Sequence, residues 1–107
     1  MFAAIPQNIP EELEQVLLAN HQVSIKRIVS RGQSNPREGW YDQADNEWVV
    51  VLQGEGVLAF TDTDDVHLNA GDYCYIPAHR KHRVKWTSEE QATVWLAIHF
   101  PVEDEKA

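Results

Sequence analysis

The chain has 107 residues, 43% apolar and 24% charged, a composition that folds as one domain around a modest core and argues against disorder. Its formal net charge of -8 argues against nucleic acid and anionic membrane as partners, because both need a broad positive field. The single cysteine, Cys74, excludes an internal disulfide and fits a reducing cytoplasm, which is the expected compartment.

The N-terminus "MFAAIPQNIP" has no basic region and carries two prolines where an apolar stretch would stand, so no signal peptide is expected. No apolar run approaches the length of a membrane span. "IPEELEQVLLAN" predicts a short helix over about 10–20. Pro10 suits its first turn, Glu11 and Glu12 its positive end, and Leu13, Val16 and Leu17 share a face.

From there the texture is β. "VSIKRIVS" (23–30) is β-branched and extended, and "RGQSNPREG" (31–39) is a polar loop. "EWVVVLQ" (47–53) is a strand with apolar residues on both faces. "GEG" turns it and "VLAFTD" (57–62) returns. "TDTDD" is a turn before the short strand "VHLN", and "AGD" turns into "YCYI". "HRVKW" (82–86) and "TVWLAIHF" (93–100) complete the set, and the charged tail "VEDEKA" is expected to fray. Many short strands at regular spacing predict an all-β sandwich or barrel, with residues 1–107 as one domain.

The segment "HRKHRVKW" (79–86) concentrates four of the nine lysines and arginines. On a strand it alternates. His82, Val84 and Trp86 point one way, and Arg83 and Lys85 point to solvent. Arg80, Lys81, Arg83 and Lys85 remain a remote candidate for a local anion site. In "EWVVVLQ", Glu47 shares a face with Val49 and Val51. An inward carboxylate there needs a partner, because an unpaired buried charge is very costly.

These segments together resemble the cupin superfamily. The first cupin motif ends in Glu, six residues and Gly, matched by Glu47 and Gly54 in "EWVVVLQG". The second has Gly, Pro and His at spacings matched by Gly71, Pro77 and His82 in "GDYCYIPAHRKH". The resemblance covers about 23–100. It implies a small barrel of antiparallel strands in two facing sheets (the double-stranded β-helix or jelly-roll type), often dimeric. It also implies a divalent metal, such as Fe, Mn, Zn or Ni, held inside by the two His and the Glu of motif one and the His of motif two.

The chain departs from that pattern where the ligands matter. The His-x-His pair is absent. One register puts Tyr41 and Gln43 in its place, and the other puts Trp40 and Asp42 there. His79 replaces a motif Gly and Trp86 replaces a motif Asn. The expected metal-ligand set is therefore Glu47 and His82, with Gln43 or, in the other register, Asp42. Tyr41 is a candidate proton donor, and Gln43, Trp86 and His79 are candidate ligand contacts. His79 is expected at the barrel mouth, His67 at the surface, and His99 stays open because either face of its strand could point inward.

Two functions follow. One is a metal-dependent enzyme acting on a small polar metabolite. The other is a metal-free cupin that binds a small ligand without turnover, with Glu47 bonding the ligand and His82 orienting it. A homodimer is expected from the apolar alternate faces of 47–53 and 93–100 and from the habit of the family. Other chemistries lack their context. Cys74 reads as a packed thiol, no serine sits on a nucleophile elbow, "GEG" has no following helix, and "TDTDD" lacks the EF-hand pattern.

Overall fold

The computed structural model describes residues 1–36 and 38–103, and within them eight strands run in chain order. They are β1 (Leu13–Ala19), β2 (Ser24–Ser30), β3 (Asn46–Gln53), β4 (Glu55–Phe60), β5 (Val66–Asn69), β6 (Tyr73–Ile76), β7 (His82–Thr87) and β8 (Thr93–Phe100). Strand pairing is antiparallel throughout. A five-stranded sheet has the order β1-β2-β8-β3-β6, and a three-stranded sheet has the order β5-β4-β7.

Alternation builds the core. Val49, Val51, Ile76, Trp95 and Ala97 point from the large sheet toward Leu58, Phe60 and Leu68 of the small one. These β-branched and aromatic residues suit a pleated surface with one buried face. A second cluster sits at the end of the large sheet, where Ile9 of the N-terminal segment packs on Val29, Ala92 and Val94.

Two expectations need correction. No helix is present among the described residues, and the segment expected to be helical forms β1. Its seven residues are all exposed, so the apolar spacing that suggested a helix face has no core to face. A ladder to β2 from Leu13↔Val29 to Ala19↔Ser24 satisfies the backbone instead, and Glu12 anchors its start by accepting hydrogen bonds from Ser30 Oγ and Asn35 Nδ2. The barrel is also not closed. The two sheets face each other without sharing a ladder, and the loop between β2 and β3 bridges to β7 only through isolated pairs, Asn35↔Val84 and Tyr41↔His82. The other strands fall within about two residues of their expected places, as boundary fraying allows. The end of the tail expected to fray, 104–107, lies outside the described residues, as does Arg37 of the expected 31–39 loop. No helix is long and apolar enough to cross a membrane among the described residues.

Glycine is required at two positions beside the core. Gly54 has φ +87°, and a Cβ there would lie 2.7 Å from Thr93 Cα. At Gly56 a Cβ would meet Trp95 Cη2 and Cζ2 at 2.5 Å, so the bare backbone gives the indole its seat.

Candidate functional site

A cavity of about 200 Å³ opens between the sheets, lined in part by Tyr41, Gln43, Glu47, His82, Trp95 and His99. The strand register explains the convergence. Glu47 of β3 pairs with His99 of β8 on one side and with Ile76 of β6 on the other. Trp95, Ala97 and His99 thus share the inner face of β8, which resolves the open question about His99. His82 enters from β7, paired with Phe60.

Tyr41 and Gln43 come from the loop before β3. The Tyr41 backbone N–H donates to His82 O at 2.8 Å, and the His82 N–H donates back to Tyr41 O at 3.2 Å. Gln43 O accepts from the His79 N–H at 2.7 Å. These main-chain bonds hold the loop against β7 and bring Tyr41 and His82 rings to 5.5 Å between centroids. Of the two registers, the structure brings Tyr41 and Gln43 to the cavity and leaves Trp40 and Asp42 exposed outside its lining.

The centre of the site is a buried carboxylate–imidazole pair. Glu47 is 8% exposed and His82 is 4% exposed. Nδ1 of His82 lies 2.8 Å from the Arg80 carbonyl, which can only accept, so Nδ1 carries a proton. Nε2 then faces Glu47 Oε1 at 3.4 Å, and a second proton on it is favoured. Burial works against the charge on His82. The hydrogen bond with Glu47 and the Arg80 carbonyl outweigh it and hold the imidazole pKa above its ordinary value. The other Glu47 oxygen, Oε2, is 3.9 Å from His99 Nε2.

Tyr41 stays a phenol. Burial, then the charges of Glu12, Glu14 and Glu47, push its pKa up to about 12. Burial also raises Glu12 above the usual carboxylate range, against its bonds from Ser30 and Asn35. Two residues of the lining each carry a buried polar atom without a hydrogen-bond partner, Gln43 Oε1 and Trp95 Nε1.

Other residues singled out in the sequence lie elsewhere. Trp86 is 42% exposed and stands edge-on to His67, away from the cavity lining. The cause is a bulge. The β4–β7 register skips Lys85, pairing Leu58 with Val84 and the next residue, Val57, with Trp86. The alternation read from His82 and Val84 therefore breaks before Trp86, and Thr87 is buried instead. His79 is exposed and pairs with Asp42 at 2.7 Å. The basic segment is largely paired on its own surface, with Arg80 on Asp62 at 3.2 Å and Lys85 on Asp65 at 2.6 Å. The guanidinium of Arg83 lies over the Trp40 ring at 5.9 Å. Cys74 is half-buried beside the core, and burial raises its thiol pKa, as expected of a packed thiol.

Sequence reasoning missed Glu12, Glu14, Lys26 and Asn35, which also line the cavity. Glu12 and Glu14 were hidden by the helical reading. Lys26 had a signal, since it shares a strand face with Ile28, a residue of the core margin.

The family is now decided. The cupin domain model matches residues 28–99, about two thirds of the sequence, and the chain belongs to the cupins. A Ralstonia eutropha protein provisionally named a mannose-6-phosphate isomerase is 40% identical, with a TM-score of 0.89 and coverage of 94% of both chains. A cupin superfamily protein from Desulfitobacterium hafniense is 22% identical, with a TM-score of 0.75 over 92% of this chain and 84% of that one. A double-stranded β-helix cupin from Methanocaldococcus jannaschii is 17% identical, with a TM-score of 0.72 over 91% of this chain and 86% of that one. The last two support the fold alone. No curated protein matches the sequence.

The donor set is not the three His and one Glu by which many cupins hold a metal: Glu47 has His82 Nε2 at 3.4 Å and His99 Nε2 at 3.9 Å, and the His-x-His pair is absent. Tyr41 is a neutral phenol, and Gln43 offers only an amide carbonyl. Glu47 and His82 are already paired with each other. Among the described residues no three His, Cys, Asp or Glu side chains form a group that could hold an ion.

Proposed function

We propose that this cupin binds a small, uncharged, hydroxyl-rich metabolite in the cavity between its sheets, with Glu47, Gln43 and Trp95 as the hydrogen-bonding contacts and no resident metal. The observation that carries this reading is that two residues of the lining, Gln43 and Trp95, each hold a buried polar atom without a hydrogen-bond partner, Oε1 and Nε1. A buried polar group without a partner costs about 1–3 kcal/mol. One atom needs a donor and the other an acceptor, and a hydroxyl group serves as both. Beside them, Glu47 can accept from a further hydroxyl while His82 holds the carboxylate in place.

Charge favours an uncharged ligand. The lining carries three carboxylates, Glu12, Glu14 and Glu47. Its one lysine, Lys26, is bound to Glu14 at 2.8 Å, and His82 is bound to Glu47. A phosphate group would meet carboxylates and no unengaged lysine or arginine in this lining. The sugar part of the name carried by the Ralstonia relative suits the cavity, and the phosphate part does not. Glu47, positioned by His82, also has the chemistry of a base that takes a proton from a substrate carbon and returns it to the adjacent one, the elementary step of isomerase chemistry.

The test is a matched pair of probes, mannose and mannose 6-phosphate, titrated into the protein by calorimetry. Heat of binding with mannose and none with its phosphate ester supports the reading. Binding of the ester alone would sink the charge argument.

A further inference from the structure

A second space adjoins the cavity between the sheets and extends it outward. It lies between the start of β1 and the loop after β2, and Glu11, Glu12, Glu14, Gln33, Ser34 and Asn35 line it. Glu12, Glu14 and Asn35 line the inner cavity as well, so the two spaces meet along these three residues. The inner cavity holds about 200 Å³, below the roughly 300–1,000 Å³ of ordinary small-molecule sites. The outer chamber adds about 400 Å³ and brings the whole into that range.

We propose that the two spaces are one elongated site for a neutral disaccharide or a similar glycoside, with one ring between the sheets and a second hydroxylated unit in the outer chamber. The inner half rests on the sugar reading of the cavity. The chemistry of the outer lining selects the second unit. Its neutral side chains already donate to the protein: Gln33 Nε2 to Ile9 O at 2.6 Å, Ser34 Oγ to Lys85 O at 2.8 Å, and Asn35 Nδ2 to Glu12 Oε1. The carboxylates of Glu11 and Glu14 can only accept, so the unit that meets them must donate. Hydroxyl groups do so, through charge-assisted bonds. Lys26 already brings a cation to Glu14 at 2.8 Å, which favours a hydroxyl over an ammonium as the donor. An anionic unit would be repelled by the same oxygens. Among the described residues the lining has no aliphatic or aromatic side chain, so an apolar unit finds no contact there. The wall is also held in place. Asn35 and Val84 exchange backbone hydrogen bonds at 2.9 and 2.8 Å, and Thr87 Oγ1 donates to Gln33 O at 2.8 Å. A fixed wall loses little freedom when a ligand binds.

Calorimetric titration of the full chain with mannose, mannobiose and phenyl mannoside tests this. Mannobiose should bind at least about tenfold more tightly than mannose, a difference of about 1.4 kcal/mol. Phenyl mannoside should gain nothing over mannose. Ser34→Trp, which fills the outer chamber, should bring the affinity for mannobiose down to that for mannose. Glu11→Ala, at an exposed position, should reduce the same advantage. Circular dichroism checks that each variant is folded. Mannobiose bound no more tightly than mannose would overturn this inference and leave the reading of the inner cavity standing. Neither sugar bound would overturn that reading, and the elongated site with it. A mannobiose advantage that persists in both folded variants, or an equal gain from the phenyl group, would overturn the assignment of the outer chamber.

Discussion

Glu47 Oε1 faces His82 Nε2 at 3.4 Å inside the cavity, while the Arg80 carbonyl accepts a hydrogen bond from His82 Nδ1 at 2.8 Å. That pairing makes a pH prediction. The His82 pKa is raised above its ordinary 6.5, so its contribution to stability is fully present below about pH 6.5 and is lost as pH rises through the raised value. NMR titration of the histidines should show His82 titrating above 6.5. A value below 6.5 would mean that burial outweighs the Glu47 bond.

Glu47→Gln should separate binding from folding. It removes the counter-charge but keeps the shape, so His82 becomes neutral and the fold loses about 1–3 kcal/mol. The variant should stay folded and lose most of its affinity for a neutral sugar. Unchanged affinity in calorimetry would remove Glu47 from the site.

Gly56→Ala should reach the site through packing. The added Cβ would meet Trp95 Cη2 and Cζ2 at 2.5 Å and push the indole toward the cavity. The expected loss is about 1–3 kcal/mol from overpacking, with weaker ligand binding and a shifted tryptophan emission. An unaltered denaturation midpoint would show that the indole yields freely.

His79→Gly should act in the opposite direction. His79 has φ 63°, a left-handed conformation that costs a side chain about 1–2 kcal/mol. Its exposed pair with Asp42 is worth at most about 1 kcal/mol. A net gain of about 0.5–1 kcal/mol, with ligand binding unchanged, is expected from a denaturant titration. A loss of binding would make His79 a ligand contact after all.

The all-β class, seven of the strands and the inward Glu47 and His82 were legible in the sequence, because strands with a buried face carry period-two alternation and fixed turns separate them. The remainder depended on pairing that no local pattern encodes. Leu13, Val16 and Leu17 fit a helix face, and only the presence of β2 alongside turns them into a strand. Trp86 was placed inward by strict alternation, and the bulge at Lys85 breaks it. His99 could not be assigned a face until the register with Glu47 was known. Gln43 and Tyr41 were distinguishable from Asp42 and Trp40 only through the loop's bridge to β7.

The most direct test of the account is ligand-induced thermal stabilisation with and without a chelator, using the neutral sugar and its phosphate ester as the matched pair. The account predicts that the neutral sugar raises the melting temperature equally in both conditions, that the ester does not, and that Glu47→Gln abolishes the shift. Stabilisation that disappears with chelator, or that only the ester produces, would contradict it and would return the site to a metal or an anion.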